Sequence, residues 1–137
     1  MILSLLLGMA ALHGCTKGSE FEPSLCPSQL PAIADVTIRQ FGVRDYPEQR
    51  GEPPCTDFRP TKAQVIRYLS NARTTSFQSA DATLDRLPCR ASGTVRFVDG
   101  TSGQWWIERL GVATLAQPGH EDVLLYCREC TEPPFAH

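Results

Sequence analysis

The chain has 137 residues, the length of one domain, and its net charge is −2 with 20% charged residues. Its lysines and arginines are scattered, which excludes the basic stripe that nucleic-acid binding needs. Six cysteines in a chain of this size indicate disulfide bonds if the protein is exported.

The first segment predicts export. Residues 1–15 are apolar and contain no Lys, Arg, Asp or Glu. The segment is too short to span a bilayer as a helix, which takes about 20 apolar residues. Its length suits the apolar region of a cleaved signal peptide, and we expect residues 1–14 to be that peptide. The end of this peptide and the residue after it have the sequence Leu12-His13-Gly14-Cys15, which resembles the lipobox of bacterial lipoproteins.

This resemblance implies a lipid anchor. In lipoproteins of that family the peptide is cut before the cysteine, whose thiol is diacylated and whose new N-terminus is often acylated as well. It implies that Cys15 is the lipidated first residue of the mature chain. More than one acyl chain, such as palmitate, is needed for stable anchoring. Thr16 in place of Asp implies the outer membrane, facing the periplasm.

Two further parts follow the lipidated residue. Residues 16–31 are polar and interrupted by Pro23, Pro27 and Pro31. We therefore expect residues 15–31 to be a flexible tether that leads away from the membrane. The remainder, residues 32–137, is predicted to be a single globular domain.

The first part of this domain predicts one strand and one helix. Residues 35–44 alternate as a strand, and a slip in phase at Arg39-Gln40 predicts a bulge. Thr61 and Gln64 have the spacing of a capping box, followed by apolar residues at helical spacing. Residues 71–80 are rich in Ser and Thr, which favour turns, so we expect the helix to end there. Residues 81–87 are expected to add one helical turn.

Residues 91–130 predict an antiparallel meander. Apolar and polar residues alternate on each side of a Gly-containing loop at 99–103, and a second turn follows at 117–120. Leu110-Gly111 interrupts the alternation and predicts a bulge or kink. The predicted fold class is α+β, with one main helix packed on an antiparallel sheet that ends in a C-terminal four-stranded meander. The first strand is expected at an edge.

Adjacent tryptophans lie in the second strand of the meander. Neighbours on a strand point to opposite faces, so one indole can fill the core while the other faces outward. Both can be core aromatics, or one can anchor a partner. The candidate binding residues are Trp105, Trp106, Tyr126 and Phe135.

With one cysteine assigned to lipid, five remain for disulfides, which leaves one unpaired or paired outside the chain. The candidates are Cys26, Cys55, Cys89, Cys127 and Cys130. The start of the first meander strand and the end of the fourth lie at the same end of the sheet. We therefore expect Cys89 to bond to Cys127 or Cys130, and Cys55 to bond to the other of these or to Cys26.

The Cys127-Arg128-Glu129-Cys130 sequence is a CxxC motif. Redox enzymes place such a cysteine at a helix N-terminus, whereas this motif ends a strand. A zinc site would need two more ligands, and only His120 and His137 are available. A structural disulfide is the favoured interpretation. No catalytic residue, metal site or cofactor is predicted.

These observations favour a non-enzymatic, membrane-anchored periplasmic lipoprotein that acts as a binding module. An inhibitor, an immunity-type protein and an accessory protein of the bacterial cell envelope are possible forms. The expected partners are the membrane, through the lipid, and another protein, without nucleic acid. The alternative is a thiol–disulfide or metal-binding protein that uses Cys127 and Cys130.

Overall fold

A computed structural model describes residues 14–44, 46–47, 50–52, 54–85 and 89–135. Its strands are β1 (Ile33–Arg44), β2 (Arg73–Thr75), β3 (Cys89–Phe97), β4 (Ser102–Glu108), β5 (Val112–Ala116) and β6 (Val123–Tyr126). Its helices are α1 (Lys62–Asn71) and α2 (Phe77–Thr83), and a 3₁₀ turn spans Cys55–Asp57. The fold is thus mixed α+β and mostly sheet. Residues 1–13, with Leu12 and His13 of the predicted lipobox, residues 86–88 and His137 lie outside the described residues.

The six strands form one antiparallel sheet in the order β1-β3-β4-β5-β6-β2. It is wider than the sequence predicts, because β2 adds a strand beyond β6. The first strand lies at the opposite edge and pairs with β3, with register shifts on both sides of Gln40. The predicted bulge in this strand is therefore confirmed. At Leu110-Gly111 the chain does not kink within a strand but turns between β4 and β5, where Gly111 has a φ of 91°.

The start of α1 follows from its capping box. The Thr61 hydroxyl accepts a hydrogen bond from the Gln64 backbone N–H at 3.2 Å, and the Gln64 side-chain oxygen accepts one from the Thr61 N–H at 2.8 Å. These bonds satisfy two donors that a helix start leaves unpaired. The buried side of the helix carries Val65, Tyr68 and Leu69. The predicted capping box is confirmed.

The segment after α1 is more regular than predicted. In place of a simple turn, Thr74 pairs with Leu125 of β6, and a second helix begins at Phe77. The hydroxyl of Ser76 accepts a hydrogen bond from the Ser79 N–H at 3.0 Å and caps this helix. The threonines of this segment thus lie in the edge strand β2, and Ser76 caps α2. Pairing with β6 determines this arrangement.

The two faces of the sheet are covered unequally. One face packs against α1, the loop that carries Phe58, and the C-terminal Phe135. On the other face, α2 and Leu25 cover only the part near β5 and β6. The remaining part of that second face, over β1, β3 and β4, is called the open face here. Side chains of the open face include Ser92, Thr94, Gln104 and Trp106.

The segment expected to be a flexible tether lies against the domain. Thr16 pairs with Leu25, and Cys26 pairs with Thr74 beyond the edge of β2. The side chain of Leu25 is buried beside Ala80 of α2. Burial of apolar area and backbone pairing hold these residues in place despite three nearby prolines. Among the described residues, no helix has the length and apolar character to cross a membrane.

Candidate functional site

The two tryptophans point to opposite faces of β4, as strand geometry requires. Trp105 is 0% exposed, and its indole N–H donates a hydrogen bond to the Thr94 carbonyl oxygen at 3.0 Å. Trp106 is half-buried and lies on the open face. The structure therefore assigns the core role to the first indole and leaves the second available to a ligand.

The other two candidate binding residues are buried. Phe135 is 8% exposed, and its ring stacks on Tyr68 with centroids 5.7 Å apart. Tyr126 is 9% exposed and lies in the small cluster beneath α2. Burial raises the pKa of the Tyr126 phenol, with a smaller contribution from Glu22. Neither side chain presents a surface, because the Phe135 ring packs against Tyr68 of α1 and Tyr126 lies beneath α2. Of the four candidate binding residues, Trp106 is therefore the one whose side chain is still accessible to a partner.

The hydroxyl of Tyr68 shows how firmly α1 is fixed on the sheet. It donates a hydrogen bond to the Gly111 carbonyl oxygen at 2.6 Å, and the Leu125 carbonyl oxygen is 3.3 Å away. Complete burial raises the pKa of this phenol well above its usual value, and the negative charge of Glu108 adds to the effect. The hydroxyl therefore remains a donor and joins the helix to the β4–β5 turn.

A groove of about 330 Å³ lies beside Trp106. It is lined by Arg39, Gln40, Ser92, Gly93, Gln104 and Trp106. The small residues Ser92 and Gly93 form its floor on β3, between taller side chains of β1 and β4. A Cβ atom on Gly93 would overlap the Thr37 carbonyl oxygen and approach the Trp105 ring at 2.6 Å. The close approach of β1 and of the Trp105 ring to this position therefore requires glycine here.

Two further depressions continue from this groove. The second measures about 430 Å³ and shares Gln104 with the first. The third measures about 230 Å³, shares Pro118 with the second and ends at His120. We call the three together the furrow. Its remaining lining residues are Thr94, Gly100, Thr101, Ser102, Gly103, Ala116 and Gln117.

The furrow is polar, and none of the described residues that line it carries a carboxylate. The only charged side chain that lines it in the described part of the chain is Arg39, for which no ion pair or hydrogen bond is found within that part. Asp99 lies close to the far end, but its carboxylate accepts hydrogen bonds from the Thr101 hydroxyl at 2.6 Å and the Thr101 N–H at 2.9 Å. These bonds lower the pKa of Asp99 and hold its charge within the turn.

The disulfides differ from the predicted pairing. The structure contains the bonds Cys15–Cys26, Cys55–Cys89 and Cys127–Cys130. The expected bond from Cys89 to Cys127 or Cys130 is wrong, because β4 and β5 separate β3 from β6 by three strand spacings, about 14 Å in total. The loop after β1 returns instead across the start of β3 and brings Cys55 to Cys89. All five predicted disulfide candidates are in disulfides.

Cys15 has two mutually exclusive uses. Its sulfur is bonded to that of Cys26 in the structure, with Cα atoms 3.9 Å apart. The same sulfur cannot also carry a lipid, so lipidation would leave Cys26 with a free thiol. The position of Cys15 next to the paired Thr16–Leu25 segment also places any anchor directly beside the domain.

The CxxC motif closes a tight loop after β6. Cys127 is completely buried and Cys130 is 8% exposed. Cys130 also lines a groove of about 280 Å³ between α1 and the C-terminal tail. In the part of the chain that the structure describes, no group of three or more His, Cys, Asp and Glu side chains is placed to hold a metal ion.

Arg109 has a structural role that sequence analysis missed. It is 7% exposed, and its guanidinium donates hydrogen bonds to the Pro54 carbonyl oxygen at 3.2 Å and to Asp57 at 3.4 Å. It also lies over the ring of Phe58, 5.7 Å from the ring centre. These contacts fix the loop that carries Cys55. No local pattern distinguishes this arginine from the ten others.

Arg39, Gln40 and Gln104 were also not predicted as site residues. Arg39 and Gln40 were considered only as the position of a bulge, and the pairing of β1 with β3 is what sets them across from Trp106. The arrangement can hold a ligand by ring stacking and hydrogen bonds. No family model, curated protein or solved structure matches this chain.

Proposed function

We propose that the protein is a lipid-anchored module of the bacterial envelope that binds another macromolecule through the open face around Trp106. It acts by binding and not by catalysis. The observation that carries this proposal is the half-buried Trp106 at the wall of a groove for whose polar side chains no hydrogen bond or ion pair is found within the described residues. Aromatic residues of this kind are typical of binding sites, because they contribute a large contact area.

The packing around Trp106 supports a role outside the core. Its neighbour Trp105 already fills the covered face, so stability does not require a second indole on the other side. Its cross-strand neighbours on the same face of the sheet are Ser92 and Thr114, which are too small to shield it. The part of the Trp106 ring that stays accessible can therefore contact a ligand.

Anchoring is tested by the intact mass of the protein extracted from its native membrane, with and without alkylation. We expect the mass of residues 15–137 plus acyl chains and one alkylated thiol, because lipidation of Cys15 leaves Cys26 unpaired. A mass without acyl chains and without a free thiol would contradict the anchor and indicate the Cys15–Cys26 disulfide.

Thiol–disulfide exchange at Cys127 and Cys130 is the second candidate function. It is favoured by the position of Cys130 at the groove beside α1, where a thiolate could approach. The same mass measurement tests it. Alkylation of both cysteines in the native protein after mild reductant, with Cys55 and Cys89 still bonded, would favour exchange; resistance of both would exclude it.

Binding by the open face is tested with Trp106→Ala. The unlipidated, oxidised chain from residue 15 is mixed with an envelope fraction from cells that lack the protein, and the sedimented share is measured. We expect wild type to sediment with the fraction and Trp106→Ala to lose most of this retention, because the substitution removes the aromatic wall of the groove. An anchor residue of this kind contributes about 2 kcal/mol or more to binding.

The matched control is Phe77→Ala. Phe77 is 53% exposed on α2, away from the groove, so this variant also removes an exposed aromatic ring. It should be retained as well as wild type. Equal loss in both variants would indicate non-specific hydrophobic adsorption, and full retention of Trp106→Ala would show that another surface is used.

A further inference from the structure

The shape of the furrow indicates an extended ligand. Its three depressions have volumes of about 330, 430 and 230 Å³ and follow one another across the open face toward the β5–β6 turn. Each is near the lower limit of sites that hold one small molecule. Gln104 lies between the first two and can contact ligand units on both sides. A chain of repeated small units fits this arrangement better than one compact molecule.

The side chains of the furrow fit a saccharide. The π-face of an indole is electronegative and attracts the C–H bonds on one side of a sugar ring. Glutamine and serine side chains both donate and accept hydrogen bonds, as sugar hydroxyls require. Three such side chains line the same groove as Trp106, namely Gln40, Gln104 and Ser92. No hydrogen bond of these three side chains is found within the described residues, so their bonding capacity is available.

The same side chains fit a protein partner less well. Protein interfaces have an apolar core in which several aromatic or aliphatic side chains lose their water. Trp106 is the one aromatic residue that lines the furrow in the described part of the chain, and the other large exposed apolar side chains do not line it. A polar surface with a single ring does not provide such a core.

The charge of the furrow indicates which class of saccharide it binds. Among the described residues, Arg39 lies beside Trp106 without an ion-pair partner, and none of those that line the three depressions carries a carboxylate. Guanidinium groups bind carboxylates through two parallel hydrogen bonds. We infer that the furrow binds a carboxylate-bearing glycan chain, with one sugar ring on Trp106 and its carboxylate on Arg39. This inference rests on the proposed function and names the ligand of the same surface.

Isothermal titration calorimetry with a defined probe tests the inference. The oxidised chain from residue 15 is titrated with tetragalacturonate and with its methyl ester, which has the same rings but no charge. We expect saturable binding of the acid, at least about tenfold tighter than the ester, because only the acid can pair with Arg39. Added salt should weaken binding of the acid more than that of the ester.

Two variants separate charge from stacking. Arg39→Gln should weaken binding of the acid by about tenfold and leave the ester unchanged, whereas Trp106→Ala should weaken both. Arg67→Gln is the control, because Arg67 is an exposed arginine on α1, which covers the opposite face of the sheet. This variant should bind both probes like wild type. No saturable binding of the acid, or unchanged affinity in Arg39→Gln, would overturn the inference.

The envelope fraction distinguishes failure of the inference from failure of the proposed function. Periodate destroys sugar diols and protease destroys protein, so each treatment is applied to the fraction before mixing. Loss of Trp106-dependent retention after periodate supports a glycan. Loss after protease alone overturns the glycan ligand but leaves the binding module in place. Absence of any Trp106-dependent retention, together with absence of binding to the acid, overturns both.

Discussion

Replacement of Trp105 by alanine is expected to lower the free energy of unfolding by about 3–5 kcal/mol. The indole is completely buried in the core on the covered face of the sheet, and its N–H donates a hydrogen bond to the Thr94 carbonyl oxygen. The variant would lose this apolar contact, leave a cavity and leave the carbonyl without its partner. Urea unfolding of the oxidised protein measures the change through the midpoint of the transition.

Trp106→Ala provides the matched comparison on the adjacent residue. Because Trp106 is half-buried on the open face, its loss should cost about 1 kcal/mol or less. If Trp105→Ala is too unstable to purify, Trp105→Phe, which retains an aromatic ring, should still be less stable than Trp106→Ala. Equal stability of the two single alanine variants would contradict the placement of the indoles on opposite faces.

Removal of the Cys55–Cys89 bond by the double variant Cys55→Ala, Cys89→Ala should cost about 4 kcal/mol. The two cysteines are 34 residues apart, and the chain-entropy model assigns about this stabilisation to a loop of that length. The bond also holds the 3₁₀ turn over the start of β3, where Arg109 fixes the same loop. Thermal unfolding without reductant measures the loss.

The pair Cys127→Ala, Cys130→Ala is the control for this experiment. These cysteines are only 3 residues apart, so the same model gives a loss of about 2 kcal/mol. Both double variants remove two largely buried sulfurs, and the difference between them therefore reports mainly on loop length. A larger loss in the control would show that native packing of the C-terminal tail, and not loop closure, determines the stabilisation.

Short-range patterns predicted the features that depend on neighbours in the chain. The capping box at Thr61 and Gln64 forms as expected, because its hydrogen bonds join residues three positions apart. The bulge near Gln40 follows from a slip in side-chain alternation, which is visible in the sequence itself. The opposite orientation of Trp105 and Trp106 follows from strand geometry alone.

Long-range contacts decided what those patterns left open. Which tryptophan is buried depends on which face α1 covers, and no local signal carries that choice. The second helix and β2 were missed because Ser and Thr are compatible with turns, caps and strand edges, and only the free edge of β6 selects among them. The disulfide pairing required the path of the loop between β1 and α1, since distances across a sheet are not encoded in residue spacing.

The sequence by itself determined the α+β class, the presence of disulfides, the start of α1 and the bulged first strand, because each depends on composition or on residues a few positions apart. Only the tertiary structure brought Arg39 and Gln40 of β1 to Trp106 of β4, across the low floor of Ser92 and Gly93. These residues are separated by more than 60 positions, and only strand pairing, which buries apolar side chains on the other face, sets them side by side.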